Sequence, residues 1–171
     1  VLGARPFGVA ALDAAGFETP ETSFEKPEGD YVAKSLFDWH DEADPELNGE
    51  GAVYQRLLPT KPIDYKYYGV DDGDRVHVTA LRSTSKLAGR KEYLDQVDPD
   101  PEVATSVRRL MSQTGTQGIG VDVVRSRRTY YAVDVNPAMS FRNADMELEL
   151  ADSMAARVGS PSDAGAFRPE F

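Results

Sequence analysis

Residues 129–154 read TYYAVDVNPAMSFRNADMELELADSM. The start alternates like a β-strand, while Met146, Leu150, Met154 and Val158 recur at the i, i+4 spacing of a helix, with Asn143 as its cap. Between them DVNP sets a carboxylate, Asp134, and a carboxamide, Asn136, two residues apart. A strand that only fills a core has little use for both, because a buried polar group costs free energy unless it is partnered. Alternate strand side chains share a face, so Asp134 and Asn136 project the same way.

Ahead of this strand stands GIGVDVVRS, residues 118–126, an apolar run with its own aspartate, Asp122. Only the short polar connection RSRR, residues 125–128, separates the two runs, which suits an antiparallel pair. Pairing sets Asp122 and Asp134 on adjacent strands. Two carboxylates and an amide oxygen converging on one face make a hard-oxygen cluster of the kind Mg²⁺ prefers, with water or phosphate oxygens completing the shell. The same residues fit a plainer arrangement, in which Asn136 before Pro137 closes the strand as an Asx turn and Asp122 pairs with a nearby arginine. Spacing leaves both open.

The rest of the chain falls into short elements. PFGVAALDAA, residues 6–15, suits a helix with Pro6 in its first turn and Gly16 past its end. A turn-rich stretch then leads to YVAKSLF (31–37), a strand; the polar loop 38–51 follows, and AVYQRLLP (52–59) is a second strand. Pro59 and Pro62 bracket a linker. DYKYYGV (64–70) and RVHVTALRS (75–83) form a strand pair joined by DDGD. Asp100 caps a helix with Pro101 at its first position, Val103, Val107, Leu110 and Met111 as its apolar stripe, and Gly115 as its stop. The tail from residue 160 has no periodicity. Antiparallel strands with helices on one face make the fold α+β.

Composition narrows the function. The 171 residues carry 40% hydrophobic and 28% charged side chains and no cysteine, which describes a folded chain without disulfides or thiolate metal sites. No apolar run approaches the ~20 residues of a membrane span, and VLGARPFG is no signal peptide, so a membrane partner is not expected and a cytoplasmic setting is. A net charge of −10 argues against nucleic acid as partner. Basic residues are sparse, and Lys34, Lys66, Arg82, Lys86, Arg90 and Lys91 fall in the central part. A P-loop, a dinucleotide fingerprint, an H-x-x-x-H zinc pair and a G-x-S-x-G elbow are all missing. The chain starts at Val1, which fits processing or a fragment.

Taken in order, the motifs resemble the ATP-grasp superfamily, whose nucleotide lies between two α+β lobes. ALDAAGFETPET is similar to the helix and G-x-x-x-P-x-T that open the smaller lobe; YVAKS resembles the strand bearing a phosphate-contacting lysine; VYQRLLP resembles the inter-lobe hinge. GIGVDVV and YAVDVNP resemble the two metal strands, and the likeness runs from about residue 5 to about residue 158. The resemblance implies a smaller lobe over 1–58, a larger lobe over 59–160 and an irregular tail over 161–171. It implies ATP and Mg²⁺ as cofactors, the metal held by Asp122, Asp134 and Asn136. Lys34 would neutralise phosphate charge, and Gln55 with the main chain of Arg56, Leu57 and Leu58 would meet the base, Tyr54, Leu57 and Leu58 lining its slot. Asp64 would bind the ribose and Lys66 reach a phosphate.

By the same resemblance the chain is an ATP-dependent ligase joining a small-molecule or peptide carboxylate to an amine through an acyl-phosphate. A kinase on the same fold and a non-catalytic nucleotide-binding domain are the alternatives. Arg82 and Arg142 would be the catalytic arginines, holding the acyl-phosphate or the oxyanion through paired hydrogen bonds. Two departures stand out. SLFDWHDEADPELNGEG, with Trp39 and His40, replaces the usual glycine-rich loop, and the leading α/β domain of many members is not in this sequence.

Overall fold

A computed structural model describes residues 5–36 and 51–137. The expected helix from Asn143, Arg142, Trp39, His40 and the tail lie outside the described residues. The elements are α1 (Arg5–Ala14), β1 (Thr22–Ser23), β2 (Tyr31–Ser35), β3 (Ala52–Arg56), β4 (Ile63–Asp71), β5 (Val76–Thr84), a 3-10 turn (Lys86–Ala88), β6 (Tyr93–Val97), α2 (Pro101–Thr114), β7 (Gly118–Ser126) and β8 (Thr129–Asn136). They build two antiparallel sheets, one ordered β1-β3-β2 and one ordered β6-β5-β4-β7-β8. No helix among the described residues is long and apolar enough to cross a membrane.

α2 follows from its ends. Asp100 accepts from the Glu102 and Val103 amides, Pro101 opens the first turn, and Gly115 ends it at φ 65°, a left-handed conformation that glycine adopts without strain. The stripe Val103, Val107, Leu110 and Met111 is buried against Tyr67, Ala80, Ile119, Val121 and Val123 of the larger sheet. α1 joins the same core through Leu12, with Ala15 and Phe17 just beyond it. Both helices therefore cover one face of the larger sheet. The smaller sheet keeps a separate apolar cluster of Ala33, Ala52 and Tyr54, edged by Tyr31.

β6 was not expected from sequence. Its residues YLDQV are largely exposed on both faces, so they lack the alternation that marks a half-buried strand. Only the neighbouring β5 reveals it, through a register that shifts between Arg82 and Ser83.

A second irregularity matters more. β7 and β8 pair Val123 with Ala132 but Asp122 with Asp134, so Val133 is an extra residue, a β-bulge. Ala132 and Val135 stand an odd number of residues apart, and regular alternation would put them on opposite faces. The bulge returns both to the core, where they are 1% and 3% exposed.

Two glycines let the helices close. A Cβ on Gly69 of β4 would lie 2.5 Å from Met111 Sδ and 2.9 Å from Val107 Cγ1, and one on Gly8 of α1 would lie 2.8 Å from Val135 Cγ1. Gly69→Ala is therefore expected to destabilise the fold by about 1–3 kcal/mol, as overpacking does. Chemical denaturation checks this, and unchanged stability would mean that α2 has room to retreat.

Candidate functional site

With the helices on one face of the larger sheet, the other face is left for chemistry. Ile119, Val121 and Val123 of β7 face the core, so Asp122 and Val124 face away from it. Across the ladder Asp122 pairs with Asp134 on one side and with Lys66 of β4 on the other, while Asp64 pairs with Val124 and Asn136 with Gly120. Register thus brings Asp64, Lys66, Asp122, Asp134 and Asn136 to one face.

Two carboxylates directly opposite on neighbouring strands repel one another. Cations surround them. Arg5 Nη1 donates to Asp134 Oδ2 at 3.0 Å, and Lys66 Nζ stands 3.5 Å from Asp122 Oδ1. The latter oxygen is buried and accepts no hydrogen bond among the described residues. An orphaned buried acceptor costs about 1–3 kcal/mol, which a bound cation would relieve. No three His, Asp or Glu side chains gather as a metal cluster among the described residues; the oxygen donors that register brings to this face are Asp64, Asp122, Asp134 and the Asn136 amide. That hard-oxygen set fits Mg²⁺.

Lys34 comes from the smaller sheet. Val32 and Lys34 of β2 share a face with Val53 and Gln55 of β3. The ammonium donates to Gln55 Oε1 at 2.8 Å and to the carbonyl of Val133, the bulge residue, at 2.7 Å. Enclosure of the ammonium between the sheets pushes its pKa below the usual lysine range, against the opposing pull of Asp134. Among the described residues two of its three N–H donors are engaged.

These side chains line an open cleft whose space is about 1520 Å³, counting the solvent at its mouth. Lys34, Gln55, Arg56, Leu57, Leu58, Asp64, Asp122 and Asp134 all contribute to its wall. Lys66 and Asn136 stand on the same sheet face without lining it. At the hinge the Arg56 amide donates to Glu21 O at 2.8 Å and the Leu57 amide to Asp30 O at 3.0 Å. That leaves the Leu58 amide as the hinge donor not engaged among the described residues; Pro59 has none. The linker is pinned by Ser126 Oγ on Pro59 O at 2.9 Å and by the Ser85 amide on Pro62 O at 3.0 Å.

Two expected residues are not brought to the cleft. Arg82 pairs with Tyr65 of β4, so it stands on the opposite face from Asp64 and Lys66, where Asp95 holds it through two hydrogen bonds of 2.7 and 2.6 Å. Strand parity, invisible until the register is known, put it there. Tyr54 likewise faces the smaller sheet's own core, edge-on to Tyr31 at 5.3 Å.

Other cleft residues were missed or read as surface. Arg90 and Lys91, after the 3-10 turn, line the cleft, where Thr84 Oγ1 accepts from the Glu92 amide and donates to Arg90 O. Arg5 belongs to no motif in the sequence. One signal was available: a cation in the first turn of a helix opposes the helix dipole, so it needs a partner elsewhere. Five of the cleft's lining side chains are cationic and three are carboxylates. The cleft is locally basic in a chain whose net charge is −10.

Solved structures share this fold. The ATP-grasp ligase PsnB, complexed with a minimal precursor, superposes with a TM-score of 0.66 at 20% identity over 91% of this chain and 60% of its own. This is the ATP-grasp fold. The macrocyclase MdnC from Microcystis aeruginosa, bound with the precursor peptide MdnA, gives 0.66 at 11% identity over 93% of this chain and 61% of its own. The ADP complex of N5-carboxyaminoimidazole ribonucleotide synthetase gives 0.63 at 8% identity over 81% and 45%. The chain thus spans about 60% of the first two ATP-grasp chains. Neither a family profile nor a curated protein sequence matches it.

The state of Lys34 is testable without any ligand. A lysine whose folded pKa lies below its unfolded one binds fewer protons when folded, so stability rises with pH between the two values. The stability of the wild-type chain relative to Lys34→Met is expected to rise as pH climbs from neutral toward 10.5, measured by denaturant titration. A flat difference would mean that the ammonium is solvated.

Proposed function

We propose that the chain supplies the nucleotide and metal site of an ATP- and Mg²⁺-dependent ligase that joins a carboxylate to an amine, with residues 1–58 and 59–160 as the lobes on either side of the nucleotide. The observation that carries this reading is the convergence of Lys34, Asp122, Asp134 and the hinge on one basic cleft of an ATP-grasp fold. PsnB has been complexed with a precursor, Mg and ADP, and MdnC with a precursor peptide, which favours a peptide as the source of carboxylate or amine.

In this reading the Leu58 amide and the Arg56 carbonyl meet the adenine edge, and Asp64 takes a ribose hydroxyl. Lys34 gives its third N–H to a phosphate oxygen while the other two hold Gln55 of its own sheet and the Val133 carbonyl of the larger one. Asp122, Asp134 and Asn136 would hold Mg²⁺, whose chemistry is to offset phosphate charge. A substrate carboxylate oxygen attacks the γ-phosphorus as the bond to the bridging oxygen breaks, and ADP leaves. The amine nitrogen then attacks the acyl carbon, inorganic phosphate departs with the electrons of the C–O bond, and the amine proton passes to solvent. The protein's part is position and charge. A cleft lined by fixed cations raises the local concentration of an anionic nucleotide despite the acidic surface.

ATP titration by calorimetry, with and without Mg²⁺, tests binding. Lys34→Met is expected to weaken it about 10–100-fold, the value of one lost charge-assisted hydrogen bond. Release of ADP and phosphate that requires both a carboxylic acid and an amine supports the ligase. A stable phosphorylated product would make it a kinase, and binding without turnover in any substrate pool would leave a nucleotide-binding domain.

A further inference from the structure

Arg5 is placed with more care than a surface cation needs. Its Nη1 is 3.0 Å from Asp134 Oδ2, its Nε donates to the Ser35 carbonyl at 2.7 Å, and its own amide donates to the Leu36 carbonyl at 3.3 Å. Its side chain is 12% exposed, against 38% for Asp134. One residue of α1 thus ties the end of β2 in the smaller sheet to β8 in the larger. The other oxygen of Asp134, Oδ1, accepts from the Val135 amide at 3.0 Å. Both oxygens of that carboxylate are therefore engaged from within the protein. Asp122 differs: its Oδ1 is buried with no hydrogen bond among the described residues, and the nearest cation, Lys66 Nζ, is 3.5 Å away.

We propose that Arg5 is an internal counter-ion, which occupies the Asp134 carboxylate in the metal-free protein and yields it when a divalent cation arrives. The inference rests on the reading of Asp122, Asp134 and Asn136 as the metal ligands. Of the two contacts on Asp134, the Val135 amide is a neutral neighbour that a metal tolerates, whereas a guanidinium adds a full positive charge beside a dication. Arg5 is the contact that must give way. The Ser35 carbonyl keeps hold of Nε, so the guanidinium swings off Asp134 without leaving the cleft. Asp122, whose cation stands 3.5 Å off without a hydrogen bond, is then the less guarded ligand, Asp134 is the more guarded one, and metal arrival alters the link between α1, β2 and β8.

The test uses the whole chain without nucleotide and Mn²⁺ as the probe, followed by water-proton relaxation. Arg5→Gln removes the charge but keeps a donor for the Ser35 carbonyl. It is expected to bind Mn²⁺ at least about tenfold tighter than wild type, because one repelling unit charge at contact distance has gone. Arg5→Lys should stay close to wild type, and Asp134→Ala added to Arg5→Gln should remove the gain. If Asp134→Ala weakens Mn²⁺ binding while Arg5→Gln does not tighten it, the counter-ion is overturned and the metal site stands. If Asp134→Ala leaves Mn²⁺ binding unchanged, the metal reading itself falls. The wild-type chain provides a second measurement that needs no variant: the Arg5 Nε–H resonance should shift during a Mg²⁺ titration together with the Val135 amide. A shift at Val135 with none at Arg5 would also overturn the proposal.

Discussion

The carbonyl of Val133 accepts from the Lys34 ammonium at 2.7 Å, the direct hydrogen bond by which β2 of the smaller sheet meets β8 of the larger. The carbonyl belongs to the β-bulge of β8, where Val133 has no cross-strand partner on β7. A regular ladder would have committed the backbone there to β7 and kept strict alternation. Ala132 and Val135 could not then both be buried. One extra residue solves two problems. It returns Val135 to the core beneath α1, and it turns backbone toward a lysine on the other sheet.

The same bend sets up the electrostatics. With Val133 taken out of register, Asp134 falls directly across from Asp122, the least favourable position for a second carboxylate. Removing the negative charge would be the simplest remedy. Instead the fold surrounds the pair with Arg5, Lys66 and, from the smaller sheet, Lys34. Burial costs Lys34 solvation, and the pull of Asp134 opposes that cost without cancelling it. An arrangement that is expensive in charge and yet built from three separate elements is better suited to binding than to stability.

Much of the architecture could be read from the sequence because it rests on local rules. The ends of α2 are written in Asp100, Pro101 and Gly115, and its stripe in four apolar residues at helical spacing. β7 and β8 were legible from two apolar runs and a short polar turn, where Arg127 adopts φ 57°. Asp134 and Asn136 share a face by arithmetic alone. Failures came where a side chain's direction depends on a non-local register. Arg82 ends a strand as expected, but only its pairing with Tyr65 reveals which face it takes. Tyr54 failed for the same reason. β6 carries too little apolar alternation to be seen in isolation. Arg5 sits far in sequence from Asp134, and no local pattern could join them.

Charge distribution draws these strands together. A chain with a net charge of −10 should repel nucleoside phosphates at long range, yet cations outnumber carboxylates along its cleft. At physiological ionic strength the distant surface charges are screened over about 8 Å, so a ligand that reaches the mouth responds mainly to the lining. Arg90 and Lys91 line the cleft closer to solvent, Arg90 exposed and Lys91 half-buried, whereas the Lys34 ammonium is enclosed between the sheets. The gradient therefore steepens inward, from solvated cations to one whose ammonium is short of solvent. Water already compensates the outer cations, which makes them steering groups of modest value. Lys34 has given up that compensation, so an incoming anion gains most from the cation it meets last.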